Sequence, residues 1–187
     1  MNWLHQRVCR SKRWRRRIEA ELLPWTLRGV ELGQDLLEIG PGPGVTTDVL
    51  RRLKCRLTVL EIEAAAAAAL QERLKGANVQ VVHGDGAAMP FADGSFSAVV
   101  AFTMLHHVTT PAAQDGLLSE ARRVLCPGGV FAGLDGVDSV LFRLVHLGDG
   151  YLPVEPDTFG RRLQAAGFTD VTIEQGRRRF RFQARRP

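Results

Sequence analysis

From residue 35 to residue 136, short apolar runs alternate with helix-forming stretches, and no other feature limits the fold so tightly. Asp35–Gly40 (DLLEIG), Arg56–Ile62 (RLTVLEI), Val79–Asp85, Phe96–Met104 and Val130–Asp135 read as five strands. Thr46–Leu53, Ala64–Leu74 (opening on six alanines) and Gln114–Leu125 read as helices between them. Strands separated by helices of this length belong to βαβ units and a parallel sheet. Runs as apolar as Ala98–Phe102 (AVVAF) are what burial on both faces of such a sheet demands.

Beyond residue 136 the pattern changes. Asp138–Leu147 reads as a helix, and Asp157 as the N-cap of another that ends at Gly167. Asp170–Gln175 and Arg178–Ala184 are two further strands joined across Gly176, hence antiparallel to each other. Seven strands result. Ahead of the first strand, Trp14, Ile18, Leu22 and Trp25 recur at helical spacing. With 187 residues the chain fits one domain, which is the expected organisation, and can bury a core without disulfides. Within it, residues 1–33 are expected to form a helical cap, 34–136 the core, and 137–187 a lid and the last two strands.

Composition excludes several classes. The chain is 45% hydrophobic and 24% charged, as ordinary soluble globular proteins are. The longest apolar run, Ala64–Leu70, is far short of the roughly 20 residues of a membrane span. The N-terminus enters arginines with no apolar core of a signal peptide, so a cytoplasmic location is expected. Cys9, Cys55 and Cys126 show no metal-ligand spacing, so plain thiols and no metal are expected. The net charge of +5 is uneven. Residues 1–17 hold seven basic groups and 177–187 six, with no acid in either segment, so the body between them is acidic. Arginine outnumbers lysine 22 to 3, a codon-bias signature that explains the choice of arginine but not its placement at the ends.

Glu38-Ile-Gly-Pro-Gly-Pro-Gly44 follows a strand and precedes a helix. Glycines there let backbone approach a ligand closely, and a helix N-terminus offers free N–H groups to an anion. Glu61 ends the second strand 21 residues after Gly40, a spacing at which a carboxylate accepts ribose hydroxyls. The dinucleotide fingerprint would put its third glycine at Val45, whereas here it is Gly44, which weakens a nicotinamide reading. His106 and His107 follow the fourth strand, where parallel-sheet enzymes place ligands, and Asp135 ends the neighbouring fifth. A histidine so placed can take a proton from a hydroxyl, with Asp135 orienting it; two histidines that merely line a pocket are the equal alternative. His83 reads as a structural strand residue, and His5 has no evident partner.

DLLEIGPGPGVTTDVL, LTVLEIE, VVHGDGAAMPFADGSFSAVVAFTMLHHV and RVLCPGGVFAGLDG together resemble, in order, the motifs of class I S-adenosylmethionine-dependent methyltransferases. Within that family the likeness is greatest to the small-molecule branch holding the ubiquinone/menaquinone-type enzymes, and it spans about residues 33–136. The resemblance implies an α/β fold, a Rossmann-like three-layer sandwich whose seven-stranded, mostly parallel sheet runs 3-2-1-4-5-7-6. It implies S-adenosyl-L-methionine as cofactor and S-adenosyl-L-homocysteine as product. The methionine end would lie over Gly40, Gly42 and Gly44 with Glu38 nearby. Glu61 would take the ribose, Ile62 would pack beside the adenine, and Asp85 would take its amino group with Gly86 and Ala87 completing that pocket. The backbone of Phe102 would lie near the sulfonium, and residues 1–33 and 137–160 would carry acceptor specificity. Ser97 departs from the pattern, which often has aspartate there; the position is a strand start remote from the cofactor.

The expected activity is methyl transfer to a hydroxyl or activated carbon of a lipophilic small molecule. An RNA or other nucleic-acid methyltransferase is the rival, from the basic ends and three tryptophans. Against nucleic acid stand the missing Asn/Asp-Pro-Pro-Tyr and Pro-Cys signatures and the little chain left for target recognition. A non-catalytic interaction module and a nicotinamide oxidoreductase are the remaining alternatives. Arg13, Arg15, Arg16 and Arg17 crowd a helix start, where the dipole disfavours positive charge. They are expected to meet an anionic acceptor or membrane surface, while the apolar stripe of that helix caps the cleft; a solvated basic face on a packed helix is the alternative.

Overall fold

The computed structural model describes residue 7, residues 11–146, residue 148 and residues 150–187. His5, Cys9 and Leu147 of the sequence reading lie outside the described residues.

Seven strands form one sheet in the order β3-β2-β1-β4-β5-β7-β6. They are β1 (Asp35–Ile39), β2 (Arg56–Glu61), β3 (Val79–His83), β4 (Phe96–Phe102), β5 (Leu125–Gly136), β6 (Thr169–Gln175) and β7 (Arg179–Arg185). The first five pair in parallel, and β7 runs antiparallel to both β5 and β6. Every carboxyl end from β1 to β5 therefore opens on the same edge, where the βα loops gather.

The period of two along the strands sorts the core into two layers. Leu37, Ile39, Val99, Ala101, Phe131, Phe180 and Phe182 face helices α5 (Pro111–Val124) and α7 (Pro156–Ala165) through Leu117, Leu118, Phe159 and Leu163. Leu36, Val59, Ala98, Val100, Ala132 and Leu134 face the other way, onto Leu70 of α4 (Ala64–Arg73) and onto Ile18 and Leu22. Those last two belong to the N-terminal helix, α1 (Lys12–Arg17), which passes through a π-helical turn (Ile18–Leu22) into α2 (Leu23–Thr26). Pro24 has no N–H and crowds the carbonyl of residue 20, so the ladder widens: the Leu23 N–H donates to Ile18 O, five residues back.

Several boundaries differ from the sequence reading. The helix expected over Thr46–Leu53 shrinks to α3 (Thr47–Leu50). Four residues carry little dipole, so the anion-attracting helix N-terminus expected there reduces to the loop backbone. The fifth strand starts at Leu125 rather than Val130, because the Pro127–Gly129 segment is a bulge inside it, with Gly128 at φ +78°. Glu155, not Asp157, is the N-cap of α7: Pro156 pre-sets the first helical residue and leaves Asp157 in the first turn. The helix expected over 138–147 is α6 (Val140–Val145), capped by the Ser139 side chain on the Phe142 N–H. Ser97 sits at the start of β4, where its hydroxyl donates to Leu32 O at 2.7 Å and accepts from the Asp35 N–H at 2.9 Å. It closes the entry to β1, at the end of the strand opposite the glycine loop. Among the described residues Cys55 and Cys126 are free thiols, and no helix is long and apolar enough to cross a membrane.

Candidate active site

The glycine loop turns out of β1 with all three glycines in the left-handed region, at φ +63° (Gly40), +52° (Gly42) and +75° (Gly44). A side chain would be crowded at two of them. A Cβ on Gly40 would stand 3.0 Å from the Met104 side chain, and one on Gly44 2.6 Å from Leu70 Cδ1. Beneath the loop, Glu38 is 1% exposed and its two oxygens accept the hydroxyls of Thr46 and Thr47 (the second at 2.6 Å). Burial pushes its carboxyl up to about 7; the threonine hydroxyls pull it down, and the charges of Asp48 and Glu61 add to the rise.

Asp48, buried on α3, receives Arg15 at 2.8 Å and Arg73 at 2.7 Å. Burial alone would raise it, but those two guanidinium groups outweigh burial and hold it below the usual range. It thereby ties α4 and the N-terminal helix to the glycine loop. Nothing in the sequence marked it, because its partners lie 33 and 25 residues away.

Glu61, 5% exposed at the end of β2, accepts the N–H of Gly42 and of Glu63, each at 3.0 Å. A carboxylate has about four acceptor sites, so two remain for a diol. Next to it Ile62 is 61% exposed, an apolar face left for a flat ring. Beyond β3, Asp85 is exposed and its Oδ1 accepts the Ala87 N–H at 2.8 Å, closing a tight turn. Gly86 in that turn is buried, and a Cβ there would meet Leu117 at 2.9 Å.

A cavity of about 80 Å³ is walled by Gly40, Gly42, Phe102, Met104 and His107 and roofed by Trp14 and Ile18. Pockets that hold a whole drug-sized ligand run to roughly 300–1,000 Å³. The cavity thus suits the reacting end of a cofactor, while Glu61, Ile62, Asp85, Gly86 and Ala87 form a separate outer surface at the ends of β2 and β3. Thr103, at the turn out of β4, holds φ +52° although it is β-branched. Strain of that kind collects at functional turns. Here it aims the following 3₁₀ turn, Leu105–His107, along the cavity.

Behind that wall His106 and Asp135 are 2% and 0% exposed. Asp135 Oδ1 lies 2.5 Å from His106 Nδ1 and accepts the Gly136 N–H at 2.6 Å, while Oδ2 accepts the His106 N–H at 3.2 Å. Burial alone would raise the Asp135 carboxyl; the facing imidazole and these N–H groups outweigh it and hold it below its ordinary value. His106 is inaccessible, and His107 is the member on the cavity wall. A third ring, His146 from the turn after α6, sits with its Nε2 3.1 Å from His106 Nε2. No signal in the sequence marks it, since it lies 40 residues downstream on the lid. Buried Gln114 fastens the 3₁₀ turn to that lid by donating to Leu105 O and Leu152 O. His83 contacts Ile62 O at 3.1 Å, far from this cluster in the fold. Arg15 and Arg17 are paired with Asp48 and Glu21, and Arg13 and Arg16 are exposed.

The methyltransferase-domain family model matches residues 37–133, more than half of the chain. The chain belongs to this family of methyltransferases. A "Probable S-adenosylmethionine-dependent methyltransferase" of Mycolicibacterium smegmatis is 35% identical over 53% of the chain and 37% of its own length. A sterol 24-C-methyltransferase of Gibberella zeae is 30% identical over 75% of the chain and 40% of its own length. The chain thus spans about two fifths of these relatives. A protein from Pyrococcus horikoshii shares the fold, with a TM-score of 0.79 at 20% identity over 96% of this methyltransferase and 94% of that chain. The methyltransferase domain takes S-adenosylmethionine as cofactor, and the residues present fit it: all three loop glycines hold left-handed backbone, and Glu61 keeps acceptor capacity beyond its two N–H partners.

Proposed function

We propose that the methyltransferase transfers a methyl group from S-adenosylmethionine to a hydroxyl or activated carbon of a lipophilic small molecule, in a single domain and in the cytoplasm. The observation that carries this reading is the shared wall of the cavity, glycine loop on one side and His107 on the other. When bound, the cofactor supplies an electrophilic methyl on sulfonium. Gly40, Gly42 and Gly44 hold its methionine end, with Glu38 beneath, and Glu61 takes the ribose. Ile62, Asp85, Gly86 and Ala87 would receive the adenine, and the Phe102 backbone would serve the sulfonium end. Methyl transfer is an in-line displacement, so much of the acceleration comes from orientation. The acceptor must also lose its proton, and the cluster of His106 and His107 anchored on Asp135 is the group placed to promote that loss. The sterol methyltransferase among the relatives and the quinone-type motif likeness support a lipophilic acceptor.

One observation favours an RNA acceptor. A groove of about 390 Å³ beside the N-terminal helix is lined by Arg17, Arg177, Arg178 and Arg179. Phosphate contacts would make RNA affinity fall steeply with salt.

Calorimetric titration of S-adenosylmethionine tests the donor half. Glu61→Ala is expected to weaken binding by about a hundredfold or more, since two charge-assisted hydrogen bonds of about 1.5–3 kcal/mol each are lost. Equal affinity in a folded variant overturns the assignment.

A further inference from the structure

His106, His107 and His146 each bring a ring nitrogen to within 4.8 Å of the other two. Hydrogen-bond partners fix the tautomers of two of them. His106 Nδ1 faces the Asp135 carboxylate at 2.5 Å, and His146 Nδ1 faces the Phe142 carbonyl at 2.7 Å. Both partners are acceptors, so each Nδ1 carries the hydrogen. Each Nε2 is then the ring nitrogen left to accept or to ligate, and the two Nε2 atoms lie 3.1 Å apart in a buried site. Two acceptor nitrogens this close call for a cation shared by both, either a proton on the line between them or a metal ion to one side of it.

A tetrahedral ion with nitrogens at about 2.0–2.1 Å sets neighbouring nitrogens about 3.3 Å apart, close to the observed separation. His107, half-buried on the cavity wall, completes a third position by a swing of its ring. A carboxylate on the far nitrogen of a ligating histidine is the usual outer support of such sites, and Asp135 provides it. Three imidazoles with one position left open are the donor set of catalytic zinc and its neighbours in the first transition row.

We propose that His106, His107 and His146 bind one divalent transition-metal ion of the zinc class, with Asp135 anchoring His106 and the open position facing the cavity. Binding of the ion stands on this geometry alone; its use rests on the function proposed above. An acceptor hydroxyl at the open position would release its proton to solvent more readily. Its oxygen lone pair then forms the C–O bond as the methyl C–S bond breaks, and that bond's electrons stay on sulfur.

The test uses tag-free, chelator-stripped full-length protein, titrated with zinc or cobalt(II) chloride in the absence of cofactor and acceptor. One equivalent is expected to bind, with cobalt(II) giving the intense visible absorption of a four-coordinate site. His106→Ala and His146→Gln are expected to abolish stoichiometric binding, Asp135→Asn to weaken it by about 10–100-fold, and His83→Ala to leave it unchanged. Circular dichroism verifies the fold of each variant. Failure to bind either ion, or binding that survives both His106→Ala and His146→Gln, overturns the proposal and leaves a shared proton between the two rings. Neither result touches the cofactor assignment, which S-adenosylmethionine titration reads separately.

Discussion

Arg15 reaches from the N-terminal helix to Asp48 on α3, 2.8 Å from nitrogen to oxygen, so the roof of the cavity is fastened to the loop that forms its floor. Asp48 is 4% exposed and holds Arg73 as well, whereas both arginines keep more than two fifths of their surface in water. Asp48→Ala therefore leaves two solvated cations rather than stranded ones, and its cost is discounted for screening to about 1 kcal/mol. Asp48 titrates below the unfolded value, so its contribution is present above about pH 4 and fades as pH falls through the folded value. Denaturant melts at pH 7 and pH 3 check this, the gap between wild type and Asp48→Ala being expected to be larger at pH 7 than at pH 3.

Glu38 has the opposite sign. Its folded value of about 7 lies above the 4.5 of an exposed glutamate, so the native state holds a proton that the unfolded chain releases. Stability is expected to fall as pH rises from 4.5 to 7 and to stay low above that. Glu38→Gln removes the dependence and is expected to be more stable than wild type above pH 7, by up to about 3 kcal/mol. Equal pH profiles for the two proteins in urea melts contradict the burial argument.

Trp14 lines the cavity, whose walls include neither Glu61 nor Asp85. Trp14→Ala is expected to admit water and cut turnover by about tenfold or more, with the equilibrium affinity for S-adenosylmethionine little changed. Deleting residues 1–17 removes Arg15 too and is expected to reduce turnover further. Full turnover in the truncated protein returns the helix to a purely stabilising role.

Gly44 faces Arg73 and Leu70 at less than a van der Waals distance from any added Cβ, and its φ is positive. Gly44→Ala is expected to destabilise the fold by about 1–3 kcal/mol and to shift the loop off the cofactor. Gly42, whose Cβ would meet nothing within 4 Å, is the contrast. Thermal melts of the two variants, with and without S-adenosylmethionine, separate strain from lost binding: both carry the cost of a positive φ, and the Gly42→Ala protein, spared the added clash, is expected to lose less stability than Gly44→Ala without cofactor.

What the sequence made legible was local in the chain. Strand period, the glycine loop and Glu61 at the end of β2 are set by neighbours a few residues apart, and the sheet order came from the family resemblance those motifs carry. Asp135 beside His106 was legible because adjacent strand ends must meet. His146, Asp48 and the strained Thr103 were not, since each acquires its role from a partner brought up by tertiary packing. The shortened α3 and the bulged start of β5 escaped for a related reason: Pro and Gly mark a break in the pattern without saying whether the chain leaves the sheet or bends within it.

The central claim is that donor and acceptor meet between the glycine loop and the histidine cluster. Transfer of a labelled methyl group from S-adenosylmethionine to a panel of lipophilic phenols and quinols, with RNA alongside, tests it most directly. The account predicts label in an extractable small molecule, and a loss of about a hundredfold or more in the His106→Ala/His107→Ala double variant at undiminished cofactor affinity. Label confined to RNA, or a double variant that transfers at the wild-type rate, contradicts it.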